Sequence, residues 1–170
     1  MIRIQDLSVY YGDQAALQDF SLQIEAGECV LVTGPSGCGK STLARVLCGL
    51  IPGAIPGRLQ GRVEVAGMDV STQPVPVIAR QVGMVFQRPA SQLFHLRVAD
   101  EVAFGPRNLG LAEREVQQRS AWALEATGLS DLQEARPAAL SGGQKQCLAI
   151  AAALAMRPQV LVLDEPSASL

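Results

Sequence analysis

The first part of the chain alternates apolar and polar positions in the way that half-buried antiparallel strands do. Apolar side chains recur at short intervals over residues 2–9 and again over residues 17–24. This spacing is typical of strands that turn one face toward a core. The residues Tyr11, Gly12 and Asp13 supply the turn between the two runs. The pattern therefore predicts an N-terminal antiparallel β subdomain.

Four later runs are short and apolar, as the buried strands of an α/β protein are. They are residues 28–33, the pair Val63 and Val65, residues 82–86 and residues 160–163. Residues 51–61 are rich in proline and glycine, which indicates a surface loop.

Helical spacing predominates elsewhere in the chain. Residues 40–50 repeat Leu43, Val46, Leu47 and Leu50 at helical intervals. Residues 113–127 form an amphipathic pattern that ends at a glycine, and residues 142–156 predict a further helix. The inward positions of the amphipathic pattern are Val116, Ala123, Leu124 and Thr127, with Gly128 as the stop.

Composition limits the classes of function. Apolar residues make up 48% of the 170 positions and charged residues 18%, which suits one globular domain. A net charge of −2 and an aromatic content of 4% argue against nucleic acid as a partner. The four cysteines lack C-x-x-C spacing and there is a single histidine, so reduced thiols are expected: Cys29, Cys38, Cys48 and Cys147. Without a signal peptide or a membrane-length apolar run, we expect a cytoplasmic chain that reaches a membrane through a partner.

A glycine-rich motif follows the apolar run 28–33 and leads into a predicted helix. Its glycines let backbone N–H groups curl around a phosphate, and the positive end of the helix faces the same anion. Lys40 would reach the β- and γ-phosphates of ATP, and the Ser41 hydroxyl would bind Mg²⁺. The alternative is a glycine-rich turn before an ordinary helix. The motif is Gly34, Pro35, Ser36, Gly37, Cys38, Gly39, Lys40, Ser41 and Thr42.

An acidic pair, Asp164 and Glu165, ends the apolar run 160–163. Two carboxylates at the end of a buried strand carry a desolvation cost without a structural use. Asp164 suits a Mg²⁺ contact, and Glu165 suits the general base that polarises an attacking water molecule. Together with the phosphate loop, the pair predicts an ATP-hydrolysing site. We therefore expect an α/β fold of the P-loop class, with a parallel sheet flanked by helices.

A second anion-receiving helix start is predicted at Ser141, Gly142, Gly143 and Gln144. One phosphate loop needs only one such cradle, so this motif has no use in a plain P-loop enzyme. The alternative is a serine N-cap without a ligand.

The three motifs in this order resemble the nucleotide-binding domain of ABC-type ATPases. The resemblance implies a head-to-tail dimer with a second such domain, as homodimer, heterodimer or fused tandem, in which Ser141 and Gly143 contact ATP in trans. Tyr11 resembles the aromatic residue that stacks on adenine, although a plain turn tyrosine is the alternative. Gln87 resembles the glutamine that contacts Mg²⁺ and water and senses a transmembrane transport subunit. An all-helical subdomain at about 91–156 would be inserted into a core of residues 1–90 and 157–170.

Two segments are similar to the energy-coupling-factor importers, which take up vitamins and transition-metal ions. They read QRPASQLF from Gln87 and DEVAFGP from Asp100. The resemblance implies an ATPase on the cytoplasmic face of the membrane. Residues 93–96 and on toward Val98 and Val102 carry more large apolar side chains than a helix of this length can turn toward one core, so we expect some to face outward and to dock on the membrane subunit. The alternative is that all of them pack inside the helical subdomain. Two departures from the family pattern are Cys147 in place of arginine and Arg88 in place of asparagine.

The last residues, 168–170, stop one position before the aspartate expected in the dimer-contact loop and before the expected switch histidine. We therefore interpret the sequence as a fragment that is inactive alone. Two other functions remain open at this point: an ABC ATPase that acts on nucleic acid or translation, and a chain that binds ATP without hydrolysing it.

Overall fold

The computed structural model describes residues 1–165, so the predicted dimer-contact loop lies outside the described residues. The chain forms two compact units, Met1–Val82 and a second that begins at Gly83. None of the described helices combines the length and the apolar character that crossing a membrane requires.

An antiparallel sheet forms most of the first unit. Strand β1 (Ile2–Tyr11) lies between β2 (Gln14–Ile24) and β3 (Arg58–Val65). The short β4 (Met68–Asp69) pairs with the other edge of β3. The alternating residues of β1 form one buried face, on which Ile2, Ile4, Leu7 and Val9 are each 5% exposed or less. The predicted N-terminal hairpin is confirmed, since β1 ends and β2 begins on either side of Gly12 and Asp13.

Short helices complete the first unit: α1 (Lys40–Leu47), α2 (Leu50–Gly53) and α3 (Val75–Ile78). Helix α1 ends before the predicted Leu50 because Gly49 takes a φ of +68°, which only glycine adopts without strain. A Cβ on Gly49 would also lie 2.2 Å from Cδ1 of Ile78. The apolar face of α1 is buried, as its helical spacing predicts.

Two sequence predictions in this unit are wrong: the strand at residues 28–33 and the loop over residues 51–61. Residues 28–33 are not a strand, and Val30, Leu31 and Val32 are 44%, 85% and 41% exposed. A strand needs a neighbour to hydrogen-bond with, and no strand within residues 1–165 pairs with this run. The predicted loop 51–61 in turn contains the helical turn α2 and the first part of β3, because β1 offers Arg58 and its neighbours a pairing edge.

In the second unit, three helices surround one apolar core. Strand β5 (Val82–Val85) pairs with β6 (Val160–Leu163). Helices α4 (Val98–Asn108), α5 (Glu113–Ala126) and α6 (Gly142–Ala155) pack against one another. A 3₁₀ turn at Pro89–Ser91 precedes α4, and two more, Ser130–Leu132 and Pro137–Ala139, lie between α5 and α6. The core residues are Val98, Val102, Ala123, Leu124, Leu129, Leu140, Leu148, Ala151 and Ala155.

Local signals account for the ends of these helices. The Thr127 hydroxyl donates to the Ala123 carbonyl at 2.9 Å, and Gly128 follows with a φ of +70°, so α5 stops where the sequence predicts. Arg119 pairs with Glu115 one turn earlier and donates to the Met156 carbonyl at 3.3 Å. This contact ties α5 to the C-terminal end of α6.

Candidate functional site

The phosphate loop connects residue 33 to α1 through three glycines. Gly34, Gly37 and Gly39 have φ values of +157°, +82° and +98°, and Gly39 is the N-cap of α1. A Cβ on Gly39 would lie 2.6 Å from the carbonyl oxygen of Ala16 on β2. A side chain at this position would therefore push the loop off the sheet. The glycines fit a loop that curves around a ligand with its backbone N–H groups.

Lys40 lies over the loop itself. Its ammonium donates to the Gly34 carbonyl at 2.8 Å and to the Pro35 carbonyl at 3.0 Å. These acceptors are uncharged, whereas a phosphate would add the attraction of a full negative charge for the ammonium. Lys40 is thus already placed at the loop and can exchange its carbonyl partners for phosphate oxygens. Ser36 and Cys38 are exposed, and Thr42 is buried at the start of α1.

Tyr11 ends β1 in the same unit as the phosphate loop. Its ring is half-buried, and a Cβ on Gly57 would lie 3.8 Å from its Cε1 atom. Within residues 1–165 the buried Tyr11 hydroxyl has no hydrogen-bond partner, whereas the ring of the preceding Tyr10 lies 4.4 Å beneath the Arg58 guanidinium. Burying a hydroxyl unpaired costs free energy, so nothing in its hydrogen bonding holds Tyr11 in this position. The stacking of Tyr11 on a base stays a prediction.

In the second unit, the ends of β5 and β6 bring two candidate residues together. The Asp164 N–H donates to the Val85 carbonyl at 3.0 Å, which aligns the two strand ends. Just beyond them, the Gln87 side-chain amide donates to the Glu165 carboxylate. Asp164 is buried and Glu165 is exposed with a φ of +49°, an uncommon value outside glycine. An exposed carboxylate oriented by an amide suits a base that must meet solvent water.

The Ser-Gly-Gly-Gln motif begins α6 with a capping box. The Ser141 Oγ accepts from the Gln144 N–H at 3.2 Å, and the Gln144 side-chain oxygen accepts from the Ser141 N–H at 2.9 Å. The Ser141 hydroxyl keeps its own proton to donate. Gly142 and Gly143 occupy the first turn, where backbone N–H groups have no partner inside the helix. The cap therefore leaves the donors of an anion-binding helix start available.

The two departures from the family pattern lie in different surroundings. Cys147 is half-buried against the apolar core of the second unit, where it packs as a small apolar side chain. Arg88 is exposed and precedes the 3₁₀ turn that starts at Pro89.

The four thiols should differ sharply in reactivity toward iodoacetamide. Burial raises the pKa of the Cys48 thiol to about 12, whereas Cys29 and Cys38 are exposed. Since the thiolate is the nucleophile, we expect Cys29 and Cys38 to alkylate at about pH 8 while Cys48 stays unmodified in the folded protein. Peptide mass spectrometry measures each site. Mg-ATP should slow the labelling of Cys38 alone, and equal slowing at Cys29 would contradict nucleotide binding at the loop.

An aromatic cluster occupies the surface of the second unit, formed by Phe94, His95 and Phe104. The rings of Phe94 and Phe104 meet edge to face with centroids 5.0 Å apart, and the His95 ring lies 4.4 Å from Phe94 and 4.9 Å from Phe104. Phe94 is 65% exposed. The predicted docking segment is thus partly wrong: Leu96 is exposed like Phe94, but Val98 and Val102 are fully buried because they face α5 and α6.

Glu101 on α4 is a residue that the sequence pattern does not single out. This glutamate is 4% exposed and contacts the backbone of the aromatic cluster. Two acidic residues in a helix's first turn are ordinarily explained by the helix dipole. The available signal was that Glu101 lies three residues after Val98 and directly before Val102, the two valines whose spacing marks the buried side of α4.

The fold and the loop define the P-loop class of nucleotide-binding domains, and comparison with known proteins narrows that class. The profile of the ABC transporter family matches residues 17–168. This chain therefore belongs to the ABC transporter family.

The relatives are longer than this chain. A Methanosarcina acetivorans protein named as an ABC transporter ATP-binding protein is 49% identical over 160 residues, which cover 94% of this chain and 26% of the relative. The energy-coupling factor transporter ATP-binding protein EcfA of Methanothermobacter thermautotrophicus is 45% identical over 171 residues, which cover 100% of this chain and 54% of EcfA. This chain thus spans between a quarter and about two thirds of the length of the proteins that it matches.

Among solved structures, CbiO1 of Clostridium perfringens superposes with a TM-score of 0.86 at 35% identity, over 99% of this chain and 66% of CbiO1. CbiO1 is part of the ABC transporter complex CbiONQ. The α/β P-loop fold predicted from the sequence is confirmed by this match.

Proposed function

We propose that this chain is the ATP-binding and ATP-hydrolysing part of a subunit that energises a membrane importer of the energy-coupling-factor type. The observation that carries the proposal is the hydrogen bond from Gln87 to Glu165. Glu165 is the candidate base, and Gln87 begins the segment that leads to the exposed aromatic cluster. In this proposal a change at that surface would pass along residues 87–94 to Gln87, which contacts the base. The similarity to EcfA and CbiO1 supports an importer, and the resemblance to this subfamily suggests a vitamin or a transition-metal ion as solute.

Each group of residues would have its own role toward ATP. Lys40 and the backbone N–H groups of residues 34–42 other than Pro35 would bind the phosphates, because the loop has the glycines and the ammonium that a polyphosphate requires. Ser41, Gln87 and Asp164 would hold Mg²⁺, an ion that prefers oxygen ligands and retains some of its water. When bound, Mg²⁺ would neutralise the negative charge of the phosphates. Glu165 would accept a proton from the attacking water.

A second nucleotide-binding domain is part of the proposal. The Ser141 hydroxyl and the N–H of Gly143 remain available after the capping box forms. They would bind the γ-phosphate of ATP held by the facing domain, which requires a head-to-tail dimer of separate or fused domains. Gln144 would act by fixing Ser141 rather than by touching the phosphate.

The transmembrane transport subunit would cover the aromatic cluster together with the neighbouring Leu96. In this surface Phe94, Leu96 and Phe104 are 65%, 80% and 39% exposed. Exposed aromatic and aliphatic side chains at one place on a domain surface are typical of a partner site. An apolar helix of the membrane subunit is the partner that such a patch fits. The chain would then lie at the cytoplasmic face of the membrane.

Replacing Tyr11 with Ala should weaken ATP binding by roughly 1–3 kcal/mol if the ring stacks on the base. GTP should be affected equally, because every base has a π-face. Tyr10→Ala is the matched control, since the Tyr10 ring is engaged by Arg58. Isothermal titration with both nucleotides measures the effect. An unchanged affinity in Tyr11→Ala would make Tyr11 a plain structural residue.

The whole proposal can be tested by purifying the full-length protein from membranes of its host through an affinity tag. We expect a membrane-spanning subunit to copurify, and the complex to hydrolyse ATP in vesicles and to move solute only when ATP is present. Lys40→Ala should assemble but neither bind ATP nor move solute. A purified protein without a membrane partner, or uptake that persists in Lys40→Ala, would refute the proposed function.

A further inference from the structure

We propose that Glu101 is the positioning residue that holds Phe94 and His95 on the surface of α4, so that the aromatic cluster keeps one fixed shape. A consequence for transport, the docking of a membrane subunit on that cluster, rests on the proposed function. The hydrogen bonds from Phe94 and His95 to Glu101, which we call the clamp, do not depend on that function.

A single oxygen of Glu101 receives three polar contacts from the loop. Oε2 accepts the Phe94 N–H at 2.9 Å and the His95 N–H at 2.8 Å, and Nδ1 of the His95 ring lies 3.3 Å from the same oxygen. The carboxylate is 4% exposed. Two adjacent backbone N–H groups that converge on one carboxylate oxygen fix the direction of the chain at both residues.

Within residues 1–165 no arginine or lysine pairs with this buried carboxylate, and the titratable side chain that it contacts is the His95 ring. Burying a carboxylate is costly unless hydrogen bonds satisfy it. The two N–H donors of the loop and the N-terminal turn of α4 supply that compensation. The carboxylate and the loop therefore depend on each other: removing either leaves the other unpaired.

The clamp also sets the geometry of the rings. Phe104 lies on α4, one turn after Glu101, and its ring meets the ring of Phe94 edge to face. Glu101 thus ties the loop to the same helix that carries the second ring. Phe94 is 65% exposed, so burial contributes little to holding its ring in place. The backbone bonds to Glu101 are what keep an exposed aromatic residue ordered.

Amide exchange in the intact protein tests the clamp without any mutation. The N–H groups of Phe94 and His95 should be protected, whereas that of Leu96, which has no hydrogen-bond partner among the described residues, should exchange as in an open loop. If all three amides exchange equally fast, the clamp does not form and the inference is wrong.

Three variants test the role of the acceptor. Glu101→Leu fills the buried site with an apolar side chain of similar size and removes the acceptor. The Phe94 and His95 amides should then exchange more than about tenfold faster. Glu101→Gln retains a carbonyl oxygen and should restore most of the protection. Asp100→Asn changes the exposed neighbour, which pairs with Arg107, and should leave both amides unchanged. Equal protection in Glu101→Leu and wild type would overturn the proposal.

The same variants separate the clamp from the docking role. In the tagged complex, Glu101→Leu should lose the membrane subunit while Glu101→Gln retains it. Faster exchange together with an intact complex would overturn the docking role and leave the clamp established. If the wild type itself retains no membrane subunit, the proposed function and the docking role both fail, and the amide exchange still decides the clamp.

Discussion

Replacing Glu165 with Gln should lower the rate of ATP hydrolysis by the full-length protein by about 10²–10⁴, the usual contribution of a positioned base. The amide has the shape of the carboxylate but cannot take a proton from water. ATP binding should persist, because Glu165 belongs to the turn after β6 and the phosphate loop binds through other residues. The variant should therefore accumulate with ATP bound, as a dimer on size-exclusion chromatography.

Two variants serve as controls for this result. Lys40→Ala should fail earlier, at ATP binding, and should not form the ATP-dependent dimer. Glu134→Gln removes another exposed carboxylate of the second unit, one that pairs with Arg97 at 3.2 Å, and should hydrolyse ATP at the wild-type rate. Steady-state kinetics and nucleotide titration measure both steps. Hydrolysis at the wild-type rate in Glu165→Gln would remove Glu165 from the mechanism.

The sequence predicts those parts of the fold that local interactions determine. Helix α5 begins and ends close to its predicted bounds because its apolar spacing and its glycine stop act within a few residues. The start of α6 follows from the capping box between Ser141 and Gln144, which are three residues apart. In both cases the residues that fix the element are next to it in the chain.

Elements that depend on distant neighbours are less predictable. The apolar run 28–33 has the composition of a strand, but composition does not provide a pairing partner, and none within residues 1–165 pairs with it. The opposite error occurs at Arg58, where proline and glycine nearby indicate a loop. Pairing with Tyr10 makes this residue part of β3 instead. Register across a sheet is a tertiary property that single-sequence patterns do not contain.

In the candidate site, too, local features are predictable from the sequence and contacts between distant residues are not. The phosphate loop is one continuous motif and can be identified from spacing alone. The contact between Gln87 and Glu165 joins residues 78 positions apart, so the sequence names both residues but not their hydrogen bond. Glu101 is harder still, because a glutamate in the first turn of a helix is common and only the structure shows that it is buried against backbone N–H groups.

Replacing Phe94 with Asp should abolish assembly with the membrane subunit while the protein still folds and binds ATP. Phe94 is 65% exposed, so the loss of its ring should lower the free energy of unfolding by less than about 1 kcal/mol. At an interface, by contrast, the new carboxylate would have to be buried against an apolar helix without a partner, which is strongly unfavourable. Copurification of the membrane subunit with the tagged protein measures assembly, and thermal unfolding measures stability.

Trp122→Asp provides the matched control for this substitution. Trp122 is 47% exposed on α5, outside the aromatic cluster, so the same change of charge there should leave the complex intact. Loss of the complex in Phe94→Asp alone would then assign docking to the cluster rather than to general surface hydrophobicity. If Phe94→Asp unfolds or aggregates, the ring is needed for the fold, and if it keeps the membrane subunit, the partner binds elsewhere. Either result would refute the docking site, because a docking side chain must contribute to the interface and not to the core.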